Sequence, residues 1–165
     1  MKIQIGGLSE GLHHYRFRVA PGEMELGEQF LAGLVAEATL DKTPTQILVS
    51  CEMHAVGTFT CDRCLGVFTR EVVASYRMVY VSEGGETRDL DPAEFQVIPP
   101  GLHVIDLAED VRQSVLLAVP LKLLCKESCK GLCPTCGQNR NEGTCNCAEE
   151  TVDSRWEGLR KLHGT

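Results

Sequence analysis

Eight of the nine cysteines in this chain stand in four close pairs: Cys61/Cys64 in CDRC, Cys125/Cys129 in CKESC, Cys133/Cys136 in CPTCG and Cys145/Cys147 in CNC. Thiolates a few residues apart can reach one ion, and two such pairs complete a tetrahedral four-sulfur shell. Four pairs therefore predict two four-thiolate sites. This constrains the fold strongly, because segments far apart in sequence must meet around each ion. Paired cysteines could instead form disulfides in an oxidising compartment. The N-terminus, MKIQIGGLSEGLHHYRFRV, lacks a basic-then-apolar signal design, so the protein is expected to be cytoplasmic, where thiols stay reduced. The ninth cysteine, Cys51, lies in a strand-like stretch and reads as a small buried apolar group.

Spacing favours one partition. Cys133, Cys136, Cys145 and Cys147 form one site, in which Gly137 lets the backbone turn so that amide N–H groups face sulfur. The one-residue gap in CNC is tighter than usual. Cys61 and Cys64 then join Cys125 and Cys129, clipping a hairpin tip to the end of a helix. A rival partition gives Cys125 or Cys129 to the C-terminal site and leaves CDRC as a reduced pair. In a third reading CDRC is a redox pair, although such pairs want a helix N-terminus and this one lies between strands. Zinc is the expected cofactor, one or two ions; iron held by four cysteines is chemically allowed.

Four thiolates close the coordination sphere and leave no position for water or substrate. The histidines His13, His14, His54, His103 and His163 repeat no ligand spacing. There is no nucleophile elbow, P-loop or dinucleotide fingerprint. The expectation is a protein that is not an enzyme and has no small-molecule substrate. No apolar run approaches the roughly 20 residues that span a bilayer, so no membrane partner is expected. The net charge of −7 is concentrated: residues 81–110 carry eight acidic groups against one basic. That disfavours a broad phosphate-binding surface, since nonspecific nucleic-acid affinity comes from Lys and Arg. The acidic stretch 82–93 reads as a solvated connector. Arg63 could contact phosphate or bond to a neighbouring carbonyl.

Residues 2–5 and 13–19 look extended, and Pro21 and Gly22 mark a turn. Residues 28–38 fit two patterns: Phe30, Leu31, Leu34 and Val35 would share a helical face, while VAEATL at 35–40 suits a strand. Asp41 to Thr45 reads as a turn. Ile47, Val49, Cys51, Met53 and Ala55 alternate, as do Phe68, Val72, Ala74, Tyr76, Met78 and Tyr80. Two long antiparallel strands with CDRC at their tip are predicted, with Gly57 marking a bulge or twist. EFQVI at 94–98 suits a short strand. A helix is predicted over 106–118, with Asp106 as N-cap, Glu109 at capping-box spacing and Pro120 as its stop. A short terminal helix covers 153–162, where Trp156 packs and Arg155, Arg160 and Lys161 could touch RNA.

CDRCL, then CKESCKGLCPTCGQNRNEGTCNC, then VDSRWEGLRKL together resemble the bacterial YceD family, the large ribosomal RNA subunit accumulation proteins. The resemblance runs from about residue 35 to the end. It implies metal binding and a role in accumulation or maturation of large-subunit (23S) ribosomal RNA. The implied partner is that RNA or a ribosome-assembly protein. The family's CxRC pair corresponds to Cys61 and Cys64, which supports the two-site partition. Arg140 stands where the family more often has an apolar residue, a departure expected to leave the ligands untouched. The expected fold is α+β: an antiparallel, barrel-like sheet with a packed helix over 1–120, then a zinc-binding Cys-rich module over 121–165. Two other functions fit: a zinc-clipped protein-interaction module without direct RNA binding, and a thiol redox protein using CDRC.

Overall fold

The computed structural model describes residues 1–147 except 86, 89 and 90. The expected terminal helix over 153–162 lies outside the described residues, as does part of the acidic connector. Among the described residues, seven strands and one helix follow in order: β1 (Lys2–Gln4), β2 (Gly11–Val19), β3 (Leu34–Lys42), β4 (Gln46–Thr60), β5 (Val67–Ser82), β6 (Phe95–Ile98), β7 (Val104–Asp106) and α1 (Ala108–Ala118). Strands β2-β3-β4-β5-β6 form one sheet, and β1 pairs with β7 in a separate ribbon.

The long β4–β5 hairpin follows from its alternation. Ile47, Val49, Cys51, Met53 and Ala55 are all buried, and Val72, Ala74 and Tyr80 continue the same face on β5. The register pairs Cys51 with Tyr76 and Thr60 with Val67 and runs unbroken through Gly57, which faces Arg70. The expected bulge is therefore absent. A side chain at Gly57 would instead strike the Phe59 ring, 2.5 Å from an added Cβ. The glycine makes room for an aromatic contact, with Phe30 packed edge-on against Phe59 at 5.9 Å.

Residues 34–42 resolve as strand. Leu34, Ala36, Ala38 and Leu40 are buried in alternation, whereas Leu31, on the supposed helical face, is 71% exposed. Gly33 also rules out a helix there, with φ +78 and its would-be Cβ only 2.4 Å from the Val19 carbonyl oxygen. Because β3 runs to Lys42, Asp41 belongs to the strand and the turn narrows to 43–45.

The sheet is not a barrel, and it is mixed. Strand β6 lies parallel to β5, a pairing that a tight hairpin turn cannot make and that a longer connection between Ser82 and Phe95 allows. Its edges, β2 and β6, do not meet. Closure comes from α1, which packs on β5 and β4, burying Val111 and Val115. Each buried valine contributes roughly 1.5–3 kcal/mol. Ile3 and Ile105 of the ribbon join this core.

The helix begins later than expected. Its N-cap is Leu107, with no side-chain cap bond, because Asp106 is held extended in β7 opposite Lys2. The Asp106 carboxylate still accepts the Ala108 N–H at 3.0 Å, satisfying one donor from outside the helix. Glu109 bonds Arg112 and Gln113 rather than completing a capping box. At the far end Val119 turns extended (φ −66, ψ 121), as a residue before proline must, so Pro120 stops the helix as expected.

Candidate metal centres

The eight paired thiols meet in two groups of four. Cys61, Cys64, Cys125 and Cys129 form a tip group beneath the β4–β5 hairpin. Cys133, Cys136, Cys145 and Cys147 form a loop group. Within each group all sulfurs lie within 4.8 Å of one another. In the tip group Cys61 Sγ is 3.8 Å from Cys129 Sγ, and Cys64 Sγ is 3.8 Å from Cys125 Sγ. A tetrahedral ion with metal–sulfur bonds of about 2.3 Å separates its sulfurs by about 3.8 Å. Either group could hold a metal ion. The ninth cysteine, Cys51, sits apart in the core, where burial pushes its thiol up to about 11.

The two C-x-x-C turns are built alike. In the first, the Cys61 N–H bonds the Gly66 carbonyl at 2.9 Å, and the Leu65 N–H bonds the Cys61 carbonyl at 2.9 Å. In the second, the Cys133 N–H bonds the Gln138 carbonyl at 2.8 Å, and the Gly137 N–H bonds the Cys133 carbonyl at 2.9 Å. Each requires a left-handed fifth residue: Leu65 at φ 57 and Gly137 at φ 75. Leucine there costs about 1–2 kcal/mol that glycine avoids.

These turns aim N–H groups at sulfur. Burial alone would raise Cys61, which is 0% exposed, but the backbone N–H groups of Cys125, Cys64 and Arg63 outweigh it and bring the thiol down to about 6. The N–H groups of Cys136 and Thr135 bring Cys133 down to about 5. The later thiols move the other way. Burial and the neighbouring Cys129 sulfur push Cys125 up to about 12, and the Cys136 sulfur pushes Cys147 up to about 12. Four crowded thiols share too little positive charge for all to ionise. A dication would supply it and release protons on binding.

The tip group is tied to the hairpin by residues that flank its cysteines. The Asp62 N–H bonds the Leu123 carbonyl at 2.8 Å, and the Leu123 N–H returns to the Asp62 carboxylate at 2.6 Å. Arg63 donates to the carbonyls of Cys129, at 2.8 Å, and Glu127, at 3.3 Å. The carbonyl bonding expected of Arg63 is thus seen. Gly131, at φ +72, lies against the Arg63 backbone, with a would-be Cβ 3.0 Å from the Arg63 carbonyl oxygen.

The loop between Cys136 and Cys145 reaches both groups. Asn141 Nδ2 donates to Cys129 Sγ at 3.3 Å, and Arg140 Nη2 donates to Cys133 Sγ at 3.9 Å. Arg140 therefore does touch a cysteine sulfur, contrary to the expectation that its departure is neutral. Asn141 escaped the sequence reading; the only cue was the asparagine-rich run between two cysteine pairs. The described histidines serve elsewhere: His54, for example, lies between Glu71 at 3.0 Å and Glu52 at 3.3 Å.

Residues 49–163 match the family described as "Large ribosomal RNA subunit accumulation protein YceD", a span containing both thiol groups. Two plant proteins, each named "Large ribosomal RNA subunit accumulation protein YCED homolog 1, chloroplastic", are similar. That of Arabidopsis thaliana is 34% identical over 64 residues, 39% of this chain and 20% of the relative. That of Zea mays is 33% identical over 78 residues, 47% of this chain and 25% of the relative. The matched stretch thus spans a fifth to a quarter of the length of these curated relatives. No solved structure matches the chain.

Proposed function

Because the chain belongs to the YceD family of large ribosomal RNA subunit accumulation proteins, we propose that it is a non-catalytic factor in the accumulation of large-subunit ribosomal RNA, braced by two structural zinc ions. The observation that carries this reading is the family match, which runs through all eight paired cysteines. Cys61, Cys64, Cys125 and Cys129 hold one ion and Cys133, Cys136, Cys145 and Cys147 the other. Bound there, zinc supplies a cross-link between distant segments. Iron uses the same donor set, and elemental analysis of the purified chain separates the two.

The absence of catalysis in this reading rests on the donor set, since four thiolates leave a tetrahedral ion no open position. The low Cys61 thiol value would suit a redox pair. However, its sulfur is fully buried and 3.8 Å from Cys129, so an incoming disulfide has no approach. Retention of metal and of reduced thiols after mild peroxide is expected; a stable Cys61–Cys64 disulfide would reinstate the redox reading. Reduced thiols are a premise of this reading, so the proposal includes a reducing compartment such as the cytoplasm.

For the partner, the family description supports large-subunit ribosomal RNA, and four exposed basic residues, Lys122, Lys126, Lys130 and Arg140, alternate in sequence with the cysteines of the C-terminal segment. The chain's net charge of −7 supports a second reading, a ribosome-assembly protein as the partner. Binding to 23S ribosomal RNA fragments, titrated against salt, tests the first: affinity should fall along a line whose slope counts phosphate contacts. No retention at low salt, with a protein co-purifying instead, overturns direct RNA contact.

A further inference from the structure

We infer that the loop group controls the tip group: metal at Cys133, Cys136, Cys145 and Cys147 tightens the grip of Cys61, Cys64, Cys125 and Cys129 on theirs, with Asn141 as the positioning residue. This rests on the reading that both groups hold metal.

The link is a short chain of directed bonds. Asn141 Nδ2 donates to Cys129 Sγ at 3.3 Å. The amide's orientation is set by its other end, because Asn141 Oδ1 accepts the Lys130 N–H at 2.9 Å. Asn141 is itself held by Asn139, whose Oδ1 accepts the Asn141 N–H at 3.0 Å and Nδ2 at 2.8 Å. Asn139 in turn donates to Glu142 at 2.6 Å. Beside it, the Arg140 N–H bonds the Gly131 carbonyl at 2.9 Å and the Leu132 N–H bonds the Arg63 carbonyl at 3.1 Å, reaching the CDRC turn.

The span that carries Asn141 contains no helix or strand beyond the single bridge Leu132–Asn139. Its ends are the two halves of the loop group: Cys133 and Cys136 before it, Cys145 and Cys147 after it. An ion joining those halves closes the loop and holds Asn141 at the Cys129 sulfur. Four thiolates around a dication leave about two negative charges to be spread. An N–H donor to one sulfur draws off part of that charge and steadies the ligand. The tip group lacks this donor when the loop is open. By linkage the effect is reciprocal: metal in the tip group must tighten the loop group by the same factor.

Cobalt(II) on the full chain tests this, since thiolate-to-cobalt charge-transfer bands report each sulfur shell. Tip-group affinity is measured by chelator competition in wild type, in Asn141→Ala, in a Cys145→Ser/Cys147→Ser double variant, and in all three substitutions combined. Asn141→Ala and the double variant should each weaken the tip group about tenfold or more. Combining them should weaken it no further. Loss of the N–H donor makes Cys129 more electron-rich, so the tip-group band moves to longer wavelength in every variant. Asn141→Asp keeps an acceptor for Lys130 but offers no donor at neutral pH, and should be as weak as alanine. Unchanged tip affinity in the double variant, or additive losses, overturns the coupling while leaving two independent ions. Absence of metal uptake by wild type overturns both the coupling and the metal reading beneath it.

Discussion

Gly131 and Gly137 form a matched pair on which the architecture around the thiol groups can be tested. Both are left-handed, at φ 72 and 75, so replacing either with alanine incurs nearly the same backbone cost, about 1 kcal/mol. They differ in what the new methyl meets. At Gly137 nothing lies within 4 Å of an added Cβ. At Gly131 it falls 3.0 Å from the Arg63 carbonyl oxygen and 3.4 Å from Arg63 Cβ. That carbonyl accepts the Leu132 N–H at 3.1 Å. Stretching this bond forfeits about 0.5–1.5 kcal/mol, and the CDRC turn must shift to relieve the contact. Gly137→Ala should therefore cost about 1 kcal/mol and Gly131→Ala about 1.5–2.5 kcal/mol. For a chain of this length the difference corresponds to about 1–6 °C in melting temperature. Equilibrium urea unfolding at fixed excess zinc measures both. Equal losses, or a larger loss at Gly137, would refute the close seating of the Cys-rich segment on the hairpin tip.

Three further perturbations address other parts of the molecule. Met53→Ala empties a core site on β4 that is 0% exposed, so unfolding free energy should drop by about 2–5 kcal/mol. Gly57→Ala should destabilise through displacement of the Phe59 ring and alter near-ultraviolet aromatic dichroism, whereas an unperturbed spectrum would place the rings elsewhere. The Ala108 N–H holds the Asp106 carboxyl below its usual range. Its stabilising share is present above the unfolded value near 4 and is lost as pH falls through the lower folded value. The side chain is 46% exposed, so that share should be under about 1 kcal/mol. Asp106→Asn should remove that part of the acid dependence in urea midpoints measured between pH 2 and 5, and an unchanged profile would count against the bond.

Legibility in the sequence tracked how local the determining physics was. The β4–β5 hairpin was plain because alternation over fifteen residues admits one register. The thiol grouping emerged from spacing because sulfur ligands tolerate few geometries. The helix stop at Pro120 is likewise a local steric fact. By contrast, Phe30 to Val35 fits a helical stripe by composition, and only the packing of Phe30 on Phe59 and the backbone contact at Gly33 decide for a loop and strand. The sheet's openness depends on a parallel β6 that follows a connector without periodicity. Asp106 looked like a cap until its pairing with Lys2 held it in a strand. Asn141 was hardest to foresee, because its role depends on a sulfur twelve residues away whose position is set by the CDRC turn.

Native mass spectrometry of the intact chain, with alkylation of accessible thiols before and after chelation, bears most directly on the central proposal. Two bound metal ions per chain are expected, with the eight paired cysteines protected until the metal is stripped and the tip group yielding later than the loop group. A metal-free chain that keeps the full fold and alkylates freely at those eight positions would contradict the account.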